Sequence, residues 1–564
     1  MVFKKQILVF IILLTATLTS QAQVVDSLIR VKASITLIEE AKFPGAVVFT
    51  KSSSGQQVYI EHRGIKMWCD NAIFYEKTNF IKAYGSVRMN QGDTIFLDSQ
   101  KAEYDGNNRL AYATGDVLMR SPESTLATDK LFFNRATQQA YYRTGGTVRD
   151  TESVLTSRVG TYFMSQKKYE FLDKVVVTNP KYVIKSNHLN FYSDSGHAYM
   201  YGPSTITGKT SKVFSERGFY NTRADEGYFV KNSKIDYDNR TIYGDSLFYN
   251  RVRNFASATN NITVLDTLNK SIIKGHYAEV FKDKDSVFIT QRAVAISIQD
   301  NDSVYIHADT LMVTGPKDDR IVRGFRDVRL YKSDLSGKCD SIYTREATGL
   351  TKMIRRPVLW SDNNQIIGDS IHLQNNVETQ KLDSLRVFYN AFMINKDSIG
   401  GYNQLKGREL LGYFNDNELS EVHIIKNVEN LMYVRDDETT ELIGINTGIS
   451  GRMEIFFEDR AMTRIAQLQD PQNVLNKPEE FPENVRLLRD FNWRGDEMLM
   501  SKEDLFKGKP LPILKKITGI PLPVLENPFF DETTGAPNEN SVLKPEDLKI
   551  LEKDKIENIP GTGN

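Results

Sequence analysis

One six-residue pattern recurs eleven times at almost constant spacing, and it constrains this chain more than any other feature. Each copy reads small, polar, any, aliphatic or small, any, then usually aromatic. Gly244-Asp245-Ser246-Leu247-Phe248-Tyr249 is the clearest copy, and Thr128-Asp129-Lys130-Leu131-Phe132-Phe133 is another. The first positions are Cys69, Ser99, Thr128, Ser157, Ser186, Ser215, Gly244, Gly275, Ala308, Cys339 and Gly368. All are small, and most steps between them are 29 residues. A weaker twelfth copy starts at Gly407, and the register is lost beyond about residue 415. A fixed period of this length marks a chain built from stacked supersecondary units.

Within a copy the apolar residues fall two apart, as at Leu247 and Tyr249, which is the period of a strand and not of a helix. Between copies, Gly85-Ser86-Val87, Gly115-Asp116-Val117, Gly146-Thr147-Val148 and Asp173-Lys174-Val175 read as a turn followed by a strand. Nearly all of residues 40 to 415 are therefore expected to be β. The 30 Phe and 26 Tyr, against 3 Trp, suit pleated strands. A two-stranded unit cannot bury its own face, so the units must stack and place equivalent residues in columns.

The last slot of each copy forms one such column. It is aromatic in the first seven copies, Phe74, Tyr104, Phe133, Tyr162, Phe191, Tyr220 and Tyr249, and then relaxes to Val280, Val313, Thr344 and Leu373. The fourth slot mixes large and small side chains: Leu131, Gly160, Leu189, Gly218, Leu247, Ala278 and Leu311. Two readings of that alternation stay open: a groove with room for a ligand, or a fully packed core.

The two cysteines, Cys69 and Cys339, occupy the same slot nine repeats apart. At one strand spacing per repeat they are separated by about 43 Å. A disulfide needs Cα atoms within about 7 Å, which argues against an intramolecular bond.

Lys4 and Lys5, the apolar run Ile7–Leu14 and the small residues Ser20-Gln21-Ala22 read as a secretory leader cleaved after Ala22. The run is too short for a bilayer span, which takes about 20 apolar residues. Lysine plus arginine equals aspartate plus glutamate, at 72 each, so there is no basic excess to suggest a nucleic-acid partner. No histidine pair has zinc spacing, and there is no nucleophile elbow or phosphate loop, so no catalytic residue, metal or cofactor is assigned. Aspartate fills the second slot of six copies, Asp70, Asp129, Asp245, Asp309, Asp340 and Asp369, where turn closure is the plainer reading than cation binding. From residue 466 prolines and charges accumulate, as in Asp470-Pro471 and Pro510-Leu511-Pro512. This is read as an irregular, partly disordered tail, either a solvated linker or a partner-binding segment.

The recurring Cys69-Asp70-Asn71-Ala72-Ile73-Phe74-Tyr75 type of strand, alternating with turns such as Ala113-Thr114-Gly115-Asp116-Val117, resembles the OstA/LptA family. The resemblance spans roughly residues 25 to 400 and is strongest in about 40 to 265. It implies an all-β fold, an elongated open β-jellyroll or β-slide with an apolar slot. The expected organisation is a signal peptide (1–22), N-terminal OstA-like β repeats (24–180), continuing repeats (181–415), last rungs (416–465) and the tail (466–564). It implies a non-enzymatic periplasmic protein, free or associated with the outer membrane. Such a protein shields the acyl chains of lipopolysaccharide or a related outer-membrane lipid. The implied partners are β-jellyroll domains of other transport components, docked by strand-edge pairing, or further copies stacked head to tail. On this reading the groove is lined by Phe74, Tyr104, Leu131, Phe133, Tyr162, Leu189, Phe191, Tyr220, Leu247 and Tyr249. The chain is longer than typical bridge proteins of that family and carries no barrel-like C-terminal strands. A structural or adhesive β-solenoid that binds protein or glycan at the cell surface is the competing reading.

Overall fold

The computed structural model describes residues 28–520, except 238, 269, 299–301, 317–318, 380, 398, 417, 437 and 459–460. The expected leader, residues 1–22, lies outside the described residues. Residues 28–204 and 205–520 fall into two compact units. Both are antiparallel β, and among the described residues there is no α-helix, only short 3-10 turns.

In the N-terminal unit, strands such as Phe80–Gln91, Ile95–Asp105 and Leu110–Arg120 run 11 or 12 residues. Each shifts register once near its middle, between Tyr84 and Val87 for example, or between Asp98 and Lys101. There, every second strand places two successive residues at positive φ: Gly85 and Ser86, Gly115 and Asp116, Asp173 and Lys174. These are three of the motifs expected to be turns between strands. The structure makes them corners inside continuous strands. A left-handed pair bends the chain while the ladder resumes on both sides, and glycine or a short polar residue tolerates that conformation best.

The column of small residues faces these corners. Ser157 Oγ donates to the carbonyl of Val159 (2.8 Å), and Ser186 Oγ to that of His188 (3.0 Å). Ser99 and Thr128 make the same bond two residues on. The side chain tucks into the inside of the bend and satisfies the carbonyl that the bulge frees from the ladder. Cys69 and Cys339 hold this place as buried free thiols, and burial pushes each up to about 12.

The corner divides each long strand between two walls. In the C-terminal unit, Ser271–Phe281 pairs through Ser271–Lys274 with Val294–Ile298 on one wall, and through Tyr277–Phe281 with Ser286–Thr290 on the other. The same split recurs in Ile321–Lys332, whose two halves pair with Thr310–Thr314 and Ser303–His307. Each unit is thus a two-walled β-jellyroll. The corners continue where the sequence register fades: Gly407 sits beside a bulge, Lys426 and Asn427 form a left-handed pair, and Ser450 Oγ bonds the carbonyl of Arg452. The strands Glu418–Arg435 and Leu442–Glu458 reach 18 and 17 residues.

After the strand Gln472–Asn476 the chain is irregular, and it turns back along the C-terminal unit as a strap. Buried amides receive its backbone. Gln404 accepts from Leu488 N and donates to the Arg486 carbonyl, both at 2.8 Å. Gln365 accepts from Arg494 N (2.6 Å) and donates to the Asn492 carbonyl (2.7 Å). Asn260 does the same with both backbone groups of Lys515. Between these anchors Leu499 and Leu505 pack on Val294, Tyr305 and Tyr331. Lys509 pairs with Asp309 and Asp327 at 2.8 Å each.

Candidate functional site

Cross-strand pairing lets each column be followed from rung to rung. In the N-terminal unit the aromatic column runs Phe74, Ile81, Tyr104, Ala111, Phe133, Ala140, Tyr162, Tyr169 and Phe191. Within it Tyr162 stacks on Tyr169 at 4.3 Å, and Tyr169 lies 5.6 Å from Phe171 of the neighbouring column, between centroids. Beside it, Gly160 does not leave an empty space, because the Tyr142 ring lies over it. A Cβ at Gly160 would come within 2.5 Å of Tyr142 Cζ. The Tyr142 hydroxyl is itself held by Ser157 Oγ at 2.7 Å. Burial lifts the Tyr142 phenol to about 12, as expected where water does not reach it. Stacked rings and a ring seated on glycine fill this interior.

The C-terminal unit carries the same column with different occupants. From Tyr220 and Tyr249 it passes to Ala256, Val280, Val287, Val313, Val322, Thr344, Thr351, Leu373 and Leu385. From Val287 onward these residues line a cavity of about 1020 Å³. Facing them, the other wall supplies a second paired column, Val264, Ile273, Ala295, Ile306 and Leu330, then Leu359, Ile366 and Met393. Where rings give way to valine and threonine, the two walls no longer fill the space between them. The size falls at the upper end of ordinary small-molecule sites.

Of the ten residues that the sequence suggested for a groove, Phe74, Tyr104, Leu131, Phe133, Tyr162, Leu189, Phe191, Tyr220 and Leu247 are buried, and Tyr249 is half-buried. None lines the cavity. Leu131, Leu189 and Leu247 belong to the column next to the corner, which stays tightly packed in both units, and Ala278 and Leu311 are buried there as well. The cavity lies one column further from the corner. Its signal was present in the sequence as the relaxed slots Val313, Thr344 and Leu373. The second wall gave no comparable signal.

Charge enters the site at one end. Asp266 and Arg320 each stand two residues beyond a lining valine, Val264 and Val322, so the strand period turns them to the same interior. Arg320 Nη1 pairs with Asp266 Oδ2, and Arg240 Nε reaches that oxygen at 3.2 Å. Asn239 donates to the other Asp266 oxygen. Burial, with the Asp266 charge adding and the two arginines opposing, holds the Glu346 carboxyl above its usual range. Burial first, and then the neighbouring Arg320, lower Arg240 from its ordinary value.

The second-slot aspartates bind across the corners. Asp245 accepts from Asn261 (2.9 Å), Asp369 from Asn390 (3.1 Å) and Asp340 from Arg355 (3.4 Å), each partner belonging to a left-handed pair. Among the described residues no three metal-ligating side chains converge.

No curated protein matches the sequence. Among the solved structures that match is LptH from Pseudomonas aeruginosa, titled the LptA homologous periplasmic component of the lipopolysaccharide transport device. It is 13% identical, covers 18% of this chain and 76% of that one, and has a TM-score of 0.17, a likeness too loose to carry weight here. A family model described as OstA-like protein matches residues 48–187, the stretch that holds most of the aromatic column. In that stretch, residues 48–187, the chain is similar to the OstA-like proteins.

Proposed function

We propose that this protein is a lipopolysaccharide-transport-type β-jellyroll that shelters the acyl chains of an outer-membrane lipid in the slot of its C-terminal unit. One observation carries the reading: two facing aliphatic columns, from Val287 to Leu385 and from Val264 to Met393, enclose about 1020 Å³. Each methylene withdrawn from water contributes about 0.8 kcal/mol, so two columns made mainly of aliphatic side chains hold acyl chains through contacts spread along the slot. Near-identical rungs offer similar positions in series, which suits conveyance better than chemistry. The OstA-like region supports the same assignment. On this reading the protein acts in the periplasm after removal of a leader, performs no catalysis, and meets β-jellyroll partners or further copies through unpaired strand edges.

The test is binding of labelled lipopolysaccharide to the mature chain. Saturable binding that lipid A competes away is expected, and Val313→Trp, which returns a ring to the column, should abolish it. Binding unchanged by Val313→Trp would place the lipid elsewhere.

A further inference from the structure

The charged end of the slot has more donors than partners. The Arg320 side chain is only 7% exposed, and its Nε is buried with no hydrogen-bond partner among the described residues. Arg240 commits Nε to Asp266, and its terminal amino groups bond no other described residue. Two guanidinium groups, which stay charged at any ordinary pH, thus share one acid, Asp266, whose side chain is 6% exposed. The remaining acid, Glu346, is displaced toward its neutral form by burial. Buried charge is stable when it is paired, and the planar fork of arginine fits a carboxylate or phosphate with two parallel bonds.

We infer that Arg240 and Arg320 form a headgroup subsite for the anionic oxygen group of an amphiphile, a carboxylate or a phosphate, whose chains run on past Val322 and Val313. The inference rests on the slot proposed above and adds an orientation to it. Period two carries both walls straight from lining valine to headgroup residue: Val264 to Asp266 on one wall, and Val322 to Arg320 on the other. An acid bound there meets the spare donors of both arginines and leaves the Asp266 pair intact. A neutral head meets unpaired guanidinium instead.

The test compares a fluorescent long-chain fatty acid with its methyl ester on the full mature chain. The acid should bind about tenfold more tightly than the ester, as a charge-assisted pair warrants. Arg320→Met should remove that preference, so that acid and ester bind equally; a tenfold preference that survives it would place the acid elsewhere. Arg320→Met with Asp266→Asn, which leaves no acid orphaned, should do the same if the single variant folds poorly. Displacement by dodecyl phosphate and by dodecanoate then separates the sources: stronger displacement by the phosphate assigns a phospho-headgroup, and equal displacement assigns any acidic head. Equal binding of acid and ester by the unaltered protein, with both abolished by Val313→Trp, would overturn the subsite and leave the slot standing. Binding of neither probe would overturn both.

Discussion

The two units repeat one pattern of strand, corner and strand, yet one interior is filled and the other encloses a cavity. The difference lies in a single column. Tyr104, Phe133, Tyr162 and Phe191 occupy it in the N-terminal unit, and Val287, Val313, Thr344 and Leu373 in the C-terminal unit. The N-terminal walls are also tied at their free ends, by Gln91 to Gln138 (2.9 Å) and Lys167 to Glu123 (2.6 Å). In the C-terminal unit the Asp266–Arg320 pair makes such a tie at the end of the cavity. A repeat scaffold can therefore switch from structural core to container by trading rings for branched aliphatics at one position per rung, with the corners untouched.

Four measurements would break or sharpen this contrast. Phe171→Ala removes a fully buried ring from the filled interior and should cost about 3–5 kcal/mol in urea unfolding, whereas Val313→Ala, which borders open space, should cost about 1 kcal/mol or less. Equal costs would mean that the two interiors are packed alike. Next in size is the strap, which braces the outside of the cavity wall. Gln365→Ala strips two bonds to the strap and leaves Trp360 Nε1 without its acceptor, at about 2–3 kcal/mol. Protease cleavage within residues 477–520 should rise and tryptophan emission should shift to the red; an unchanged digest would show that the strap needs no amide anchors.

A pH effect follows at the same wall. His307 lies under Phe506 of the strap, with Nδ1 donating to the Ala293 carbonyl at 2.6 Å and Nε2 buried without a partner. Burial, helped by Lys509 and Arg329 and opposed by that carbonyl and by Asp327, lowers it to about 4. The folded protein then holds fewer protons than the unfolded chain between about pH 6.5 and 4. Stability from this group is full above pH 6.5 and declines by up to about 3 kcal/mol as pH falls to 4, and His307→Gln should flatten that slope. Digestion of the strap at pH 7 and pH 4.5 reads it, and identical rates in the unaltered protein would remove the histidine from the account. The smallest effect on stability is expected from Thr344→Phe. The ring enters existing space, so unfolding should change by less than about 1 kcal/mol while lipid uptake falls. A large loss of stability would show that the cavity cannot accept a ring.

The repeat period, the strands and the small residue at each corner were legible because they are local and recur in register. The meaning of Gly85-Ser86 was not. Two left-handed residues in sequence look like a loop turn until the ladder is seen to continue on both sides. The relaxed slots Val313 and Thr344 were visible, but a cavity needs both walls, and Ile306 and Leu330 are aligned with them only by folding. The strap was the least legible. Its prolines and charges describe its own irregularity, and its affinity resides in Gln365, Gln404 and Asn260, amides distant in sequence with no pattern to mark them.

The strap changes how the C-terminal unit can come apart. A row of rungs held only by its neighbours melts from an end, one member at a time. Here the stretch 477–520 returns past the rungs before it, fastened at Gln404, Gln365, Asp309, Asn260 and finally Arg217, so loosening the rung nearest it also loads the early ones. A sequential polymer of rungs becomes a bundle tied by its own cord, and it should melt as one block, in a transition sharper than the repeat architecture alone would give.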